Sequence, residues 1–291
     1  MLLTTSYKRK MKKKEILRIA AAAVAALALT ACGETGKTAG SETTGDGKQT
    51  TVRLGVVGEN NEQWTPVINR LAEEGITLEL VKFADYTLPN QALADGEIDL
   101  NSFQHYAYLN NEIKDKGLDL TVIGETVIAP LGVYSERIDS LDQLKEGDQI
   151  AIPNDATNEG RALKLLETAG LIKTDPQAGY TPALSDITDN PLKLKFTEVE
   201  AAQTAALLPD VAAAVINGGH AVDHGLNPTE DAIYLEEVQE GSDNPYINVI
   251  AARTADKDNE LYKKIVNYFQ SNDVAEVIKE TYKGSYVPAW Q

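Results

Sequence analysis

The feature that most limits how this chain can fold is an order of strand, helix, strand, helix and strand, run through once and then begun again. Residues 51–57 alternate apolar and polar side chains and stop at Gly58, which predicts a first strand. Trp64, Val67, Ile68 and Leu71 follow at helical spacing before Gly75, so a helix packs back on that strand. Residues 76–83 alternate again, a short helix lies at 92–94, and Ile98 and Leu100 lead into a third strand. Units of this length and order build parallel α/β structure.

After apolar runs at 118–123 and 127–133 the pattern restarts. Ser140 is expected to cap a helix carrying Leu141 and Leu144, and 149–152 reads as a strand. Ala162, Leu165, Leu166 and Ala169 then form the apolar face of a helix that ends at Gly170. Residues 200–208 are expected to be helical, and 211–216 form an apolar strand ending in Asn217-Gly218-Gly219. A last strand at 247–252 precedes two helices, one with Leu261, Ile265, Val266 and Phe269, the other with Val274, Val277 and Ile278. The predicted architecture is α/β with two lobes, the C-terminal part returning to the first; a single doubly wound domain is the alternative.

The third strand ends in a cluster of polar and aromatic side chains. In open α/β sheets a ligand sits beyond the carboxyl ends of the strands, which makes Asn101, Phe103, His105 and Tyr106 candidates to surround a small molecule. Tyr86 and Tyr108 have the makeup of an apolar slot with polar rims. In the second half, Arg161 is expected in the first turn of its helix, where the macrodipole disfavours a cation. Two explanations stay open: it clamps a carboxylate such as a ligand's, or Glu159 or a surface acid neutralises it. Asn217, at a strand end beside two glycines, reads either as an acceptor for an ammonium group or as a turn former.

Other chemistries find little footing. There is no GxSxG, phosphate loop, GxGxxG or cysteine nucleophile, so no enzyme activity and no cofactor are expected. His220 and His224 are four apart with Asp223 beside them, and His105 is the only other histidine. That pair is a weak basis for a metal site, and none is assigned.

The N-terminus is read apart from the fold. Lys8, Arg9, Lys10, Lys12, Lys13, Lys14 and Arg18 precede an apolar run at 19–29 that is too short to span a bilayer. The run ends in Leu29-Thr30-Ala31-Cys32, similar to the bacterial lipobox, so residues 1–31 are expected to be an export signal and Cys32 the lipidated first residue of the mature chain. After Cys32, the residues to 50 are mostly Gly, Thr, Ser and charged residues and read as a tether. Removing 1–31 takes away seven basic residues and one acidic residue and moves the formal charge from -17 to -23. A surface this acidic excludes nucleic acid as a partner. Cys32 is the only cysteine, so no internal disulfide can form.

Taken in order, Phe83-Ala84-Asp85-Tyr86, Pro89-Asn90, Gly96-Glu97-Ile98-Asp99, Phe103-Gln104-His105, Tyr134-Ser135, Ala151-Ile152-Pro153-Asn154-Asp155, Thr157-Asn158, Gly160-Arg161-Ala162-Leu163 and Ala214-Val215-Ile216-Asn217-Gly218 resemble the NlpA/MetQ-type methionine-binding lipoproteins over about 51–291. The resemblance implies a substrate-binding protein of an ABC importer with a two-lobed, periplasmic-binding-protein-like fold of type II, its lobes joined by two crossing segments. It places lobe one at 51–132 and 247–291, lobe two at 133–246, and hinges near 129–134 and 246–250. Arg161 would hold the amino-acid carboxylate. Tyr86, Phe103 and His105 would enclose the thioether, Asn217 would serve the amino group, and Asn158 joins them as a ligand-binding candidate.

The expected partners are methionine or a relative, the permease with its ATPase, and a membrane reached through the lipid anchor, for a monomer on the outer face of a cell membrane, preferentially of a Gram-positive cell. The chain departs from the family at Gly219 and His220, where Asn and Tyr are usual. L- or D-methionine, a methionine-containing dipeptide and another apolar amino acid therefore remain open, as does a metal-binding surface lipoprotein.

Overall fold

The computed structural model describes residues 50–238, 244–282 and 285–290. The export leader, Cys32 and nearly all of the tether lie outside the described residues. Among the described residues no helix is long and apolar enough to cross a membrane.

The chain runs β1 (Thr50–Val57), α1 (Thr65–Glu73), β2 (Ile76–Phe83), α2 (Pro89–Ala94), β3 (Leu100–Asn101), α3 (Tyr106–Lys116) and β4 (Leu120–Ile128), and then crosses. The second part holds β5 (Leu131–Tyr134), β6 (Gln149–Pro153), α4 (Ala156–Thr168), a small ribbon of β7 (Lys173–Thr174) and β8 (Ile187–Asp189), β9 (Lys195–Val199), β10 (Ala213–Asn217), α5 (Gly218–Asp223), α6 (Pro228–Asp231) and β11 (Tyr234–Leu235). The return comprises β12 (Ile247–Arg253), α7 (Glu260–Phe269), α8 (Asn272–Tyr282) and β13 (Val287–Pro288).

Two main sheets result, ordered β13-β4-β12-β3-β1-β2 and β11-β5-β10-β6-β9. β1 lies parallel to β2 and β3, and β6 parallel to β9 and β10, as the repeated α/β units require. The sheets are nevertheless mixed. β4, β5 and β12, which flank the crossings, pair antiparallel with their neighbours because the chain runs back as it passes between sheets. The first crossing falls at Ala129 and Pro130, just short of the expected boundary. Pro130 donates no backbone hydrogen bond and separates two strands that the apolar run at 127–133 joined.

Both faces of the inner strands carry buried apolar side chains. In β10, Ala213 and Val215 face one layer with Ile150, Ile152, Leu163 and Leu166, while Ala214 and Ile216 face another with Leu208 and Ala221. In β1, Val52, Leu54 and Val56 pack with Trp64, Leu71, Ile265 and Phe269. Gly55 turns to the opposite face, where a Cβ would lie 2.5 Å from Ile98 Cδ1; the close approach of β1 to that layer requires glycine.

Two predicted helices are shorter than expected. Residues 141–143 make one 3-10 turn without a side-chain cap from Ser140, and Gly147 at φ +82° redirects the chain soon after. Residues 200–208 make two 3-10 turns, at Ala201–Gln203 and Ala205–Leu207, joined through Thr204 and ending before Pro209. α4 begins earlier than read, with Asp155 as its cap, so Arg161 lies in its second turn and the macrodipole argument loses force.

Candidate functional site

The carboxyl end of β3, the start of α3, the start of α4 and the junction of β10 with α5 converge on a cavity of about 80 Å³. Tyr86, Phe103 and His105 line it from the side of the first sheet, and Asn158, Arg161 and Asn217 from the side of the second.

His105 caps α3: its Nδ1 accepts from the Tyr108 backbone N–H at 3.1 Å. That bond leaves the ring proton on Nε2, which faces Asn158 Oδ1 at 3.3 Å. Asn158 is fixed from its other end, since Nδ2 donates to both oxygens of Asp155 at 3.0 and 2.9 Å. Asn158 Oδ1 also accepts from Asn217 Nδ2 at 2.8 Å. The carboxylate thus sets the Asn158 amide and Asn158 sets that of Asn217. Asn217 Oδ1 is left buried with no partner, an acceptor presented by a relay of donors.

Arg161 is 3% exposed. Its Nε donates to Glu236 Oε1 at 2.9 Å and its Nη2 to Glu236 Oε2 at 2.5 Å and to Ala129 O at 3.1 Å. Its guanidinium lies 4.2 Å from the centre of the Tyr246 ring. The acid paired with this cation is Glu236, just beyond β11. Glu159 instead accepts from the Leu184 backbone N–H at 2.9 Å. Because Arg161 also lines the cavity, a ligand carboxylate would approach an ion pair already formed.

The aromatic part is a cluster around Tyr86, with ring centres 5.7 Å from Phe103, 5.9 Å from Tyr108 and 4.7 Å from His220. Burial, with a smaller contribution from Arg161, pushes the His105 imidazole down to about 3, and burial pushes that of His220 down to about 4. Both rings are neutral at physiological pH. Burial also raises the Tyr86 phenol well above its ordinary value.

Two predicted residues lie elsewhere. Asn101 belongs to a buried knot of amides: its Nδ2 donates to Asn90 Oδ1 at 2.9 Å, and Gln104 Nε2 donates to Asn101 Oδ1 at 3.0 Å. The knot is satisfied within itself, and only Gln104 of the three reaches the cavity. Tyr106 starts α3 on the other side, packs with the layer around Leu93 and Leu109, and donates to Glu125 at 3.0 Å. Among the described residues no group of three or more His, Cys, Asp or Glu is placed to hold a metal ion.

Other cavity residues had weaker signals. Tyr108 was legible as an aromatic neighbour and Asp223 only as part of the weak histidine pair, while Tyr286 had no local pattern; Glu236, outside the cavity lining, pairs with Arg161 across 75 positions. Asp223 Oδ1 accepts from the backbone N–H groups of Glu59 and Asn60, each at 3.1 Å, and from Asn60 Nδ2 at 2.7 Å.

A family model described as NlpA lipoprotein matches residues 52–290. The D-methionine-binding lipoprotein MetQ of Salmonella typhimurium is 41% identical over 273 residues, 92% of this chain and 96% of that protein. A nutrient binding protein from Burkholderia cenocepacia, solved bound to methionine, is 44% identical with a TM-score of 0.77 and covers 82% of this chain and 99% of its own. The substrate binding protein of a methionine transporter from Streptococcus pneumoniae is 36% identical with a TM-score of 0.78, covering 82% and 96%.

Proposed function

This chain belongs to the NlpA lipoprotein family, and on that premise we propose that it is the substrate-binding lipoprotein of an ABC importer, which captures methionine or a closely related amino acid between two lobes. Its relatives are substrate-binding proteins rather than enzymes, and the fold is the two-lobed one of those proteins.

The observation that carries the reading is the two-sidedness of the cavity. One side offers Arg161 and the unpaired Asn217 Oδ1, the other the rings of Tyr86, Phe103 and Tyr108. An amino acid with an apolar side chain has the same division. Its carboxylate would bind at Arg161 beside Glu236, its ammonium would donate to Asn217 Oδ1, and its side chain would lie among the rings with His105 and Asn158 between the two ends. Placing the lobe boundary at Ala129–Pro130 and again between β11 and β12 lets the lobes close over the ligand by hinge bending, and the closed form would be what the permease and its ATPase receive.

A lipid anchor at Cys32 on the extracytoplasmic face and a monomeric state complete the proposal. The relatives named above come from Salmonella and Streptococcus alike and lend no support to a Gram-positive cell in particular.

Native mass spectrometry of the protein as purified, and again after unfolding, dialysis and refolding with methionine, tests this. The expected result is one methionine per chain. A protein that stays without any adduct when L- and D-methionine are both in excess would remove the reading.

A further inference from the structure

His220 sits at the first turn of α5, is 7% exposed and lines the cavity, and its Nε2 is buried with no hydrogen-bond partner. The ring is gripped rather than loose. It lies against Tyr86 with centres 4.7 Å apart and planes inclined by 34°, and Tyr86 is in turn held by Phe103 and Tyr108. The neighbouring position is tight: a Cβ on Gly219 would come 3.0 Å from Tyr286 Oη, so glycine there leaves room for that tyrosine.

A buried imidazole nitrogen left unpaired is unfavourable unless something else supplies the bond. The head-group relay of Asp155, Asn158 and Asn217 does not include His220; its ring neighbour belongs to the aromatic end, where the ligand's side chain would lie.

We propose that His220 is a specificity-determining residue whose Nε2 hydrogen-bonds to a polar atom of the bound amino acid's side chain. This rests on the amino-acid reading above and deepens it. The ligand class is an unbranched side chain with a hydrogen-bonding atom beyond Cγ, a thioether sulphur or an amide, in preference to a pure hydrocarbon of the same length. The neutral ring can serve because it carries one N–H and one lone pair. A site that hydrogen-bonds a ligand atom discriminates against the analogue that lacks it, because the site's own polar group is then left unpaired.

Calorimetric titration of methionine, norleucine and glutamine into the wild type, His220→Phe and His220→Gln tests this. Phe keeps the ring on Tyr86 and removes the nitrogen; Gln keeps a polar atom without the ring and guards against a variant that fails to fold. The wild type is expected to bind methionine about tenfold more tightly than norleucine, and glutamine measurably. His220→Phe should bring methionine and norleucine to within about twofold and weaken glutamine about tenfold, with His220→Gln in between. A methionine-over-norleucine ratio in His220→Phe that stays near tenfold, or an equal loss for all three ligands, would overturn the inference alone. No binding of any of the three by the wild type would overturn the amino-acid reading and this inference with it.

Discussion

Asn158 shows how much one side chain can decide. Its amide is oriented by Asp155, it receives the His105 and Asn217 donors on a single oxygen, and it thereby makes Asn217 an acceptor toward the cavity. Neutral histidines are part of this arrangement, because a protonated His105 would place a second cation beside Arg161. Both buried imidazoles have folded values below the ordinary 6.5, at about 3 for His105 and about 4 for His220. The unfolded chain takes up these protons near pH 6.5 while the folded protein refuses them. Stability is therefore full above pH 6.5 and falls as the pH drops toward the folded values, by about 1.4 kcal/mol per pH unit for each histidine. Urea unfolding at pH 7.5, 6.5 and 5.5 should show the loss beginning at the middle value, with a shallower slope in His220→Phe. A midpoint that is flat across the range would contradict neutral burial of both rings.

At the scale of elements, α5 links the cavity to the opposite sheet. Asn217 and His220 line the cavity, and Asp223 at the other end of the same helix reaches the loop after β1, where it takes three hydrogen bonds from Glu59 and Asn60. Gly58 makes this possible: it stands at φ +82°, and a Cβ on it would fall 1.8 Å from Asp223 Oδ2. Asp223→Ala should weaken this contact between α5 and the loop after β1 by about 1–2 kcal/mol, and should appear as a faster ligand dissociation rate in stopped-flow fluorescence. An unchanged dissociation rate would mean that the contact holds nothing together.

The elements themselves were largely legible where periodicity is local. The alternation in β1 and β2, the apolar run of β10 and the amphipathic face of α4 lie close to where the spacing put them. What escaped is non-local or turns on single residues. Pro130 splits one apolar run into strands of different sheets, Leu144 turns extended directly after a single 3-10 turn, and Asn101 is claimed by amides from α2 and the β3–α3 loop.

For the whole molecule, the Arg161–Glu236 pair lies where the crossings meet. Glu236 lies just before the return crossing and also accepts from the Leu131 backbone at 2.9 Å, while Arg161 donates to Ala129 O on the outgoing crossing. Ring stacking of the guanidinium on Tyr246 adds a contact at the entry to β12. One cation thus touches both passages between the sheets and the cavity between them. Removing it would leave Glu236 half-enclosed without its partner, which costs about 3–5 kcal/mol for a buried pair and less here because Glu236 is partly exposed. Arg161 was legible in the sequence as a misplaced cation, but its acid was not, because nothing local marks Glu236. The same holds for the side of the cavity that Tyr286 closes.

The most direct measurement is isothermal titration of L-methionine into the mature domain, wild type beside Arg161→Ala, with unfolding curves to show that both are folded. Saturable one-to-one binding by the wild type at about 1 µM or tighter, near −8 kcal/mol, is expected, with a loss of at least about a hundredfold in the variant. Equal affinities in the two folded proteins would contradict it.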